Sequence, residues 1–379
     1  MGVIQTFLSP GGQQHTFGTS TPNEILVGTL EGVVKLEKMG NEWQITKRSL
    51  SDRHVGQIIH EPISGKIFAG CHAGGGLWVN DDGKGQSWRQ LTNGIDRPHI
   101  YALAVRKKGK EATLFAGTSP PALYRSDDLG ESWSVNTSIY DVADTEKWTF
   151  PPPPHIPHIK QIIMHPSEKE TFFVLVEQGA FLKTIDDGAS FLDLTGYARP
   201  EDANYRDPHR LIIDEDDTQK MWLCSGVGLY RTDDGGNTYA HLMKRGERIG
   251  YCDFAFIDPR NSQTIYQGGS ALSPNDWFKN GLSHSCVMKS VDNGISWREC
   301  VHGLPTPMVG SIQAMTQHNW GGGMTLFLGT ATGEIYLSHD KAETWELVHS
   351  NVAPIAKDNH HLPFMSPEER QEPRAHMGR

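Results

Sequence analysis

Four histidines recur at matched places in a chain of 379 residues that holds 18 of them. His54 stands eight residues before Pro62, and His158 eight before Pro166; Tyr251 takes the same place before Pro259. His99 precedes Leu103-Ala104-Val105 as His54 precedes Ile58-Ile59-His60, and His209 falls within one position of that register. Imidazole titrates near neutrality and ligates metals readily, so a convergent set could hold a metal or act as acid and base around a substrate. His72 and Glu177 extend the set, giving His54, His72, His99, His158 and Glu177 as candidate metal ligands. Nitrogen and carboxylate donors together suit a divalent transition ion (zinc, manganese, iron, nickel or copper) and leave positions open for substrate. His209 then serves acid–base work and Tyr251 proton donation. Arg97 and Arg210 flank the same segments as anion clamps, because a guanidinium pairs with a carboxylate through two parallel bonds. Each residue alone also fits a plainer role, a hydrogen-bonded strand end or a partner for a loop aspartate such as Asp96 or Asp207. It is the shared register that argues for a shared site. No organic cofactor is implied.

The elements that must carry these residues repeat. Ser126-Asp127-Asp128-Leu129-Gly130-Glu131-Ser132-Trp133 sets the pattern of Ser/Thr, Asp, Gly, Ser/Thr and an aromatic. It returns at 184–191, 232–239 and 290–297; at 338–345 Ala342 replaces the glycine, and at 80–88 one residue is added. With Trp43, the aromatics fall at 43, 88, 133, 191, 239, 297 and 345. Before each box come an apolar strand ending near proline, a second strand such as Leu114-Phe115-Ala116-Gly117-Thr118, and a third running into the box. Seven units of this length, each of four short strands, predict an all-β fold, a seven-bladed β-propeller of antiparallel blades. The strands of a blade are named A to D from channel to rim. The box is the C-to-D turn: its Asp accepts backbone N–H groups, its Gly permits positive φ, and its aromatic packs between sheets. One domain over 1–365 and a fraying tail over 366–379 are expected, with 352–357 closing the ring as strand A of the first blade, which hides both open edges.

These boxes resemble the Asp-box (BNR) repeats of sialidase-like and photosystem-assembly-factor propellers over about residues 24 to 350. The resemblance implies the fold. A sialidase would also need an arginine triad and an Arg-Ile-Pro motif; no Arg-Ile-Pro occurs, and the channel register holds histidines in place of the expected arginines. His-rich propeller lyases and hydrolases acting on uronates and lactones resemble the layout better.

In such a blade the D-to-A and B-to-C connections share one face, opposite the boxes. That face collects the histidines, the atypical turns Cys71-His72 and Val176-Glu177-Gln178, and the long insertions 134–157, 195–208 and 271–284. Loops elaborated on one face of a rigid scaffold are where binding resides. The net charge of −10, with no basic run, excludes nucleic acid and anionic membranes as expected partners. No stretch of about 18 apolar residues occurs. Five cysteines without CxxC spacing read as free thiols, and the opening residues lack the segments of a secretory signal, so a cytoplasmic protein is expected. The expected function is an enzyme that hydrolyses or eliminates on a small polar or sugar-derived substrate at the channel mouth. The rival is a non-catalytic binding propeller, an assembly factor or a peptide receptor.

Overall fold

The boxes dictate the architecture through their hydrogen bonds. In the third blade Ser126 Oγ accepts from Gly130 N at 2.9 Å, Asp128 Oδ1 accepts from Ser132 N at 2.9 Å, and Trp133 Nε1 donates to Gly130 O at 3.0 Å. The same bonds to Ser/Thr and Asp recur at Thr184–Asp186, Thr232–Asp234, Ser290–Asp292 and Ser338–Asp340. Each turn places two consecutive residues at positive φ, Leu129 and Gly130 in the third blade, Lys341 and Ala342 in the seventh. The glycine is therefore favoured but replaceable.

In this computed structural model, which describes residues 4–151, 153–197 and 206–356, seven sheets ring a central axis. Blades two to six are consecutive four-stranded antiparallel meanders. Their A strands are Val55–His60, Ile100–Lys108, His158–Met164, Pro208–Ile213 and Tyr251–Asp258. B strands such as Phe172–Glu177 and Met221–Ser225 are buried throughout, because they are sandwiched between neighbouring blades. The core is accordingly a ring of seven apolar clusters, one at each blade-to-blade junction. Every box aromatic enters the cluster it shares with the preceding blade: Trp133 packs with Phe68 and Leu91 of blade two, and Trp345 with Phe254 and Tyr266 of blade six. Seven aromatics and seven junctions correspond one to one.

Closure differs from the expectation for 352–357. The innermost strand of blade one is Gln5–Leu8, which runs parallel to Glu24–Thr29. The chain then follows blade two: Gly11 N donates to Gly56 O and Gln13 N to Ile58 O. Next, His15–Gly18 adds a fifth, parallel strand to the inside of Ile312–Trp320 in blade seven. The segment 352–356 forms no strand. It wedges into the junction of blades seven and one, where Val352 and Ile355 are buried and Pro354 O accepts from Leu30 N. A strand there would have to displace Gln5–Leu8, whose Phe7 and Leu8 already fill the edge. Lys357 and the expected tail lie outside the described residues. Among the described residues no helix is long and apolar enough to cross a membrane.

Candidate functional site at the channel mouth

Each A strand of blades two to seven carries a β-bulge one or two residues after its start, in blades two to six between Val55 and Gln57, Ile100 and Ala102, Ile159 and Gln161, Pro208 and Arg210, and Cys252 and Phe254. A bulge inserts an extra residue and re-aims side chains, often beside active sites. The bulged residues are Gly56, Tyr101, Lys160, His209 and Asp253. Two positions earlier stand His54, His99, His158, Asp207 and Tyr251. The register read from the sequence thus holds for His54, His99, His158 and Tyr251, but in blade five it belongs to Asp207. His209 sits two places further on, at the bulge. The B-to-C turns reach the same face, since His72 N donates to His54 O, Ser119 N to His99 O and Gly226 N to Asp207 O.

These side chains form a chain of contacts around the axis. The rings of His54 and His72 lie 4.5 Å apart, and His72 stacks on Tyr101 at 4.3 Å. Tyr101 lies 4.5 Å from His158, whose Nε2 donates to Glu177 Oε2 at 2.8 Å. Lys160 Nζ donates to the same carboxylate oxygen. Further round, His209 Nε2 lies 3.3 Å from Asp207 Oδ2, and Nδ1 lies 2.8 Å from Cys252 O. A carbonyl only accepts, so Nδ1 carries a hydrogen and Nε2 faces the acids. Tyr251 packs on His209 at 4.8 Å, and Trp277 of the insertion helix Pro274–Asn280 packs on Tyr251. Phe150, from the insertion between blades three and four, covers His158 edge-on.

Glycine makes part of this geometry. A Cβ on Gly56 would lie 2.2 Å from His72 Nε2, so His72 occupies the space a side chain at that bulge would take. The ligand-capable atoms of Glu177, Asp207 and His209 all lie within 4.8 Å of one another, and all three residues are buried. Gly226 lets Asp207 approach, since a Cβ there would be 2.1 Å from Asp207 Oδ2, and Asp207 Oδ1 is buried with no hydrogen-bond partner. Of the expected ligands, Glu177 joins this group; His158 touches it through Glu177. His54 and His72 stand on the far side of Tyr101, with His54 Nε2 donating to Ala356 O at 2.8 Å. His99 is half-buried at the rim, its ring beside Gly74 of the blade-two turn. Arg97 donates to the carbonyls of Pro120 and Pro121 on the outer rim. Arg210 lies inside, donating to Asp253 O and Pro10 O with its guanidinium 4.9 Å over Phe254.

Electrostatics follows from burial and pairing. Burial alone would raise the Glu177 carboxyl, but Lys160 and His158 beside it hold it well below the usual carboxylate range. Burial would likewise lower His209, and Asp207 outweighs it and raises it. Burial pushes His54 down to about 4, against the opposing bond to Ala356 O. Burial, then the acids Glu177 near Tyr101 and Asp253 near Tyr251, keep both phenols protonated well above their usual range.

The site residues missed from sequence are Asp207, Lys160, Tyr101 and Asp253. One signal for Asp207 was available: aligning Leu211-Ile212-Ile213 with Ile58-Ile59-His60 puts Asp207 opposite His54. The bulge residues carry no such signal, because a bulge is invisible in strand periodicity.

No protein-family model matches the sequence, and none of the curated proteins matches it. Solved structures do resemble the fold. An ancestral GH74 enzyme superposes with a TM-score of 0.59 at 15% identity, over 77% of this chain and 38% of that one. This chain thus spans about two fifths of that enzyme's length. YCF48 from Cyanidioschyzon merolae superposes with a TM-score of 0.55 at 16% identity, over 88% of this chain and 94% of that one. One is an enzyme, and at these identities the likeness is one of fold alone.

Proposed function

We propose that the channel mouth is a catalytic centre of an enzyme that hydrolyses or eliminates on a small polar substrate, with a divalent cation held by Glu177, Asp207 and His209. The observation that carries this reading is the orientation of His209. Its Nδ1–H is committed to Cys252 O, so its Nε2 is presented towards two buried carboxylates. A proton on Nε2 answers the neighbouring acids, in keeping with the raised His209, and a divalent cation can take that proton's place among the same three groups. The carbonyl on Nδ1 and His158 on Glu177 are the outer partners that such ligands need. A cation there would polarise a substrate oxygen or lower the pKa of a bound water. Tyr251, protonated and partly exposed next to His209, is placed to donate a proton to a leaving group.

Elemental analysis of the purified chain tests this directly. About one transition metal per chain is expected, lost on Asp207→Asn and on His209→Gln while the fold is retained by circular dichroism. A folded chain that neither contains nor takes up zinc, manganese, iron, nickel or copper would overturn it. The rival reading, a binding platform without chemistry, draws on the N-terminal segment, which occupies the inner edges of blades one, two and seven and narrows the channel. A metal-free chain would favour that rival.

A further inference from the structure

The junction of blades five and six holds two thiols in contact. Cys224 lies on strand B of blade five, Met221–Ser225, and Cys252 on strand A of blade six, Tyr251–Asp258. The Cys252 thiol donates to the Cys224 sulfur at 2.9 Å. A disulfide holds its sulfurs about 2.05 Å apart, so bonding asks for a closure of about 0.9 Å. Cys71 and Cys300 belong to other junctions. Cys286 shares this one, but Gly269 stands between it and Cys252, paired with one on each side. Two strand spacings come to about 9.5 Å, beyond the roughly 7 Å that a disulfide spans between Cα atoms.

The five cysteines carry free, buried thiols, and Cys224 and Cys252 are both 0% exposed. Burial, then the Cys252 thiol beside it, raises Cys224 well above the usual thiol range, which keeps the folded pair inert towards reagents in solution. Oxidation therefore belongs to moments when this junction is open, during folding or local unfolding. We infer that Cys224 and Cys252 are a redox pair, which a small disulfide such as oxidised glutathione converts to a disulfide joining blade five to blade six. One thiolate attacks the oxidant and releases a reduced glutathione; the second attacks the mixed disulfide and releases another. The two protein thiols lose two electrons, the S–S bond of the oxidant breaks and takes them up, and the two thiol protons end on the two glutathiones. The new bond ties down the strand whose Cys252 O orients His209. The inference does not depend on a cation at the channel mouth.

The full chain is refolded from denaturant in a glutathione redox buffer or in excess dithiothreitol, and its thiols are then counted under denaturing conditions. Three of the five thiols should stay free after glutathione, and all five after dithiothreitol. Peptide mapping should join Cys224 to Cys252. The bridge closes a loop across 28 positions, so the oxidised chain should melt about 4 °C above the reduced one. Cys224→Ala and Cys252→Ala should each melt alike after either treatment. Five free thiols after refolding in glutathione, glutathione adducts in place of a bridge, or a bridge joining any other pair would overturn the inference, and these readouts need only the unaltered chain.

Discussion

Gly56 shows how a missing side chain can build a site. It holds a bulge position where the next three blades place Tyr101, Lys160 and His209, and His72 from the neighbouring turn fills the vacated space. Gly56→Ala should therefore push His72 off Tyr101 and cost about 1–3 kcal/mol, in the range of overpacked interiors. A thermal melt would report the cost as a lowered midpoint. The box aspartates support a second prediction at this scale. Asp186, Asp234 and Asp292 are drawn down from an ordinary value near 3.8 to about 2, first by the hydroxyls of Ser190, Thr238 and Ser296 and then by backbone N–H groups. Because the folded state holds these groups more acidic than the unfolded state does, their stabilisation is present above about pH 4. It is lost as pH falls towards 2. The midpoint of thermal unfolding should drop over that interval, and Asp234→Asn should flatten the drop. Much of this was readable from residue types: the boxes announce themselves by hydroxyl, acid and aromatic at fixed offsets. Asp207 was not recognised, because blade five has Glu215 where blades two, four and six have proline, and the count from proline had no anchor there.

At the scale of strands and turns, the blades are joined by a bond the boxes supply. Trp345 N donates to His302 O, and Trp133 N to Asn93 O, so the D strand of one blade is tied to the box of the next. The residue that follows is glycine in both cases. Gly303 has φ +89, and a Cβ there would lie 2.0 Å from Trp345 O. Gly303→Ala should cost about 2–4 kcal/mol, the left-handed penalty plus a clash with backbone that cannot move aside. Equilibrium denaturation should show it as a lower midpoint with the slope unchanged. The inner strand of blade one was illegible for a related reason. Sequence periodicity assigns strands to the blade they adjoin in the chain, whereas Gln5–Leu8 pairs in parallel with a strand that begins at Glu24. Nothing in four residues, Gln-Thr-Phe-Leu, distinguishes a parallel inner strand from an antiparallel one.

For the whole molecule, stability resides in seven junctions, and the one between blades seven and one is assembled from both chain termini. Leu8, Ile25, Val34, Phe327, Leu337 and Ile355 meet in one cluster. Removing residues 4–18 should open that junction, where Leu8 packs, and strip Phe7 from the junction of blades one and two. Phe7 and Leu8 are 2% and 0% exposed, and losing their burial alone amounts to about 3–6 kcal/mol. The truncated chain should melt lower and be cut by protease first in blade one. If it melts as the intact chain does, the parallel strands are not what holds the ring.

The N-terminal strands also set an order of events in the cell. Thr16 bonds His318 across 302 positions of sequence, so the opening residues leave the ribosome long before their partners exist. Loop closure over such a span is slow compared with folding of adjacent hairpins. Individual blades can form during synthesis, but the circle cannot shut until the seventh is nearly complete. Until then Leu8 and its neighbours Ile25 and Leu36 have no finished junction to enter, and a ribosome stalled after the sixth blade would hold out an apolar edge suited to capture by a chaperone.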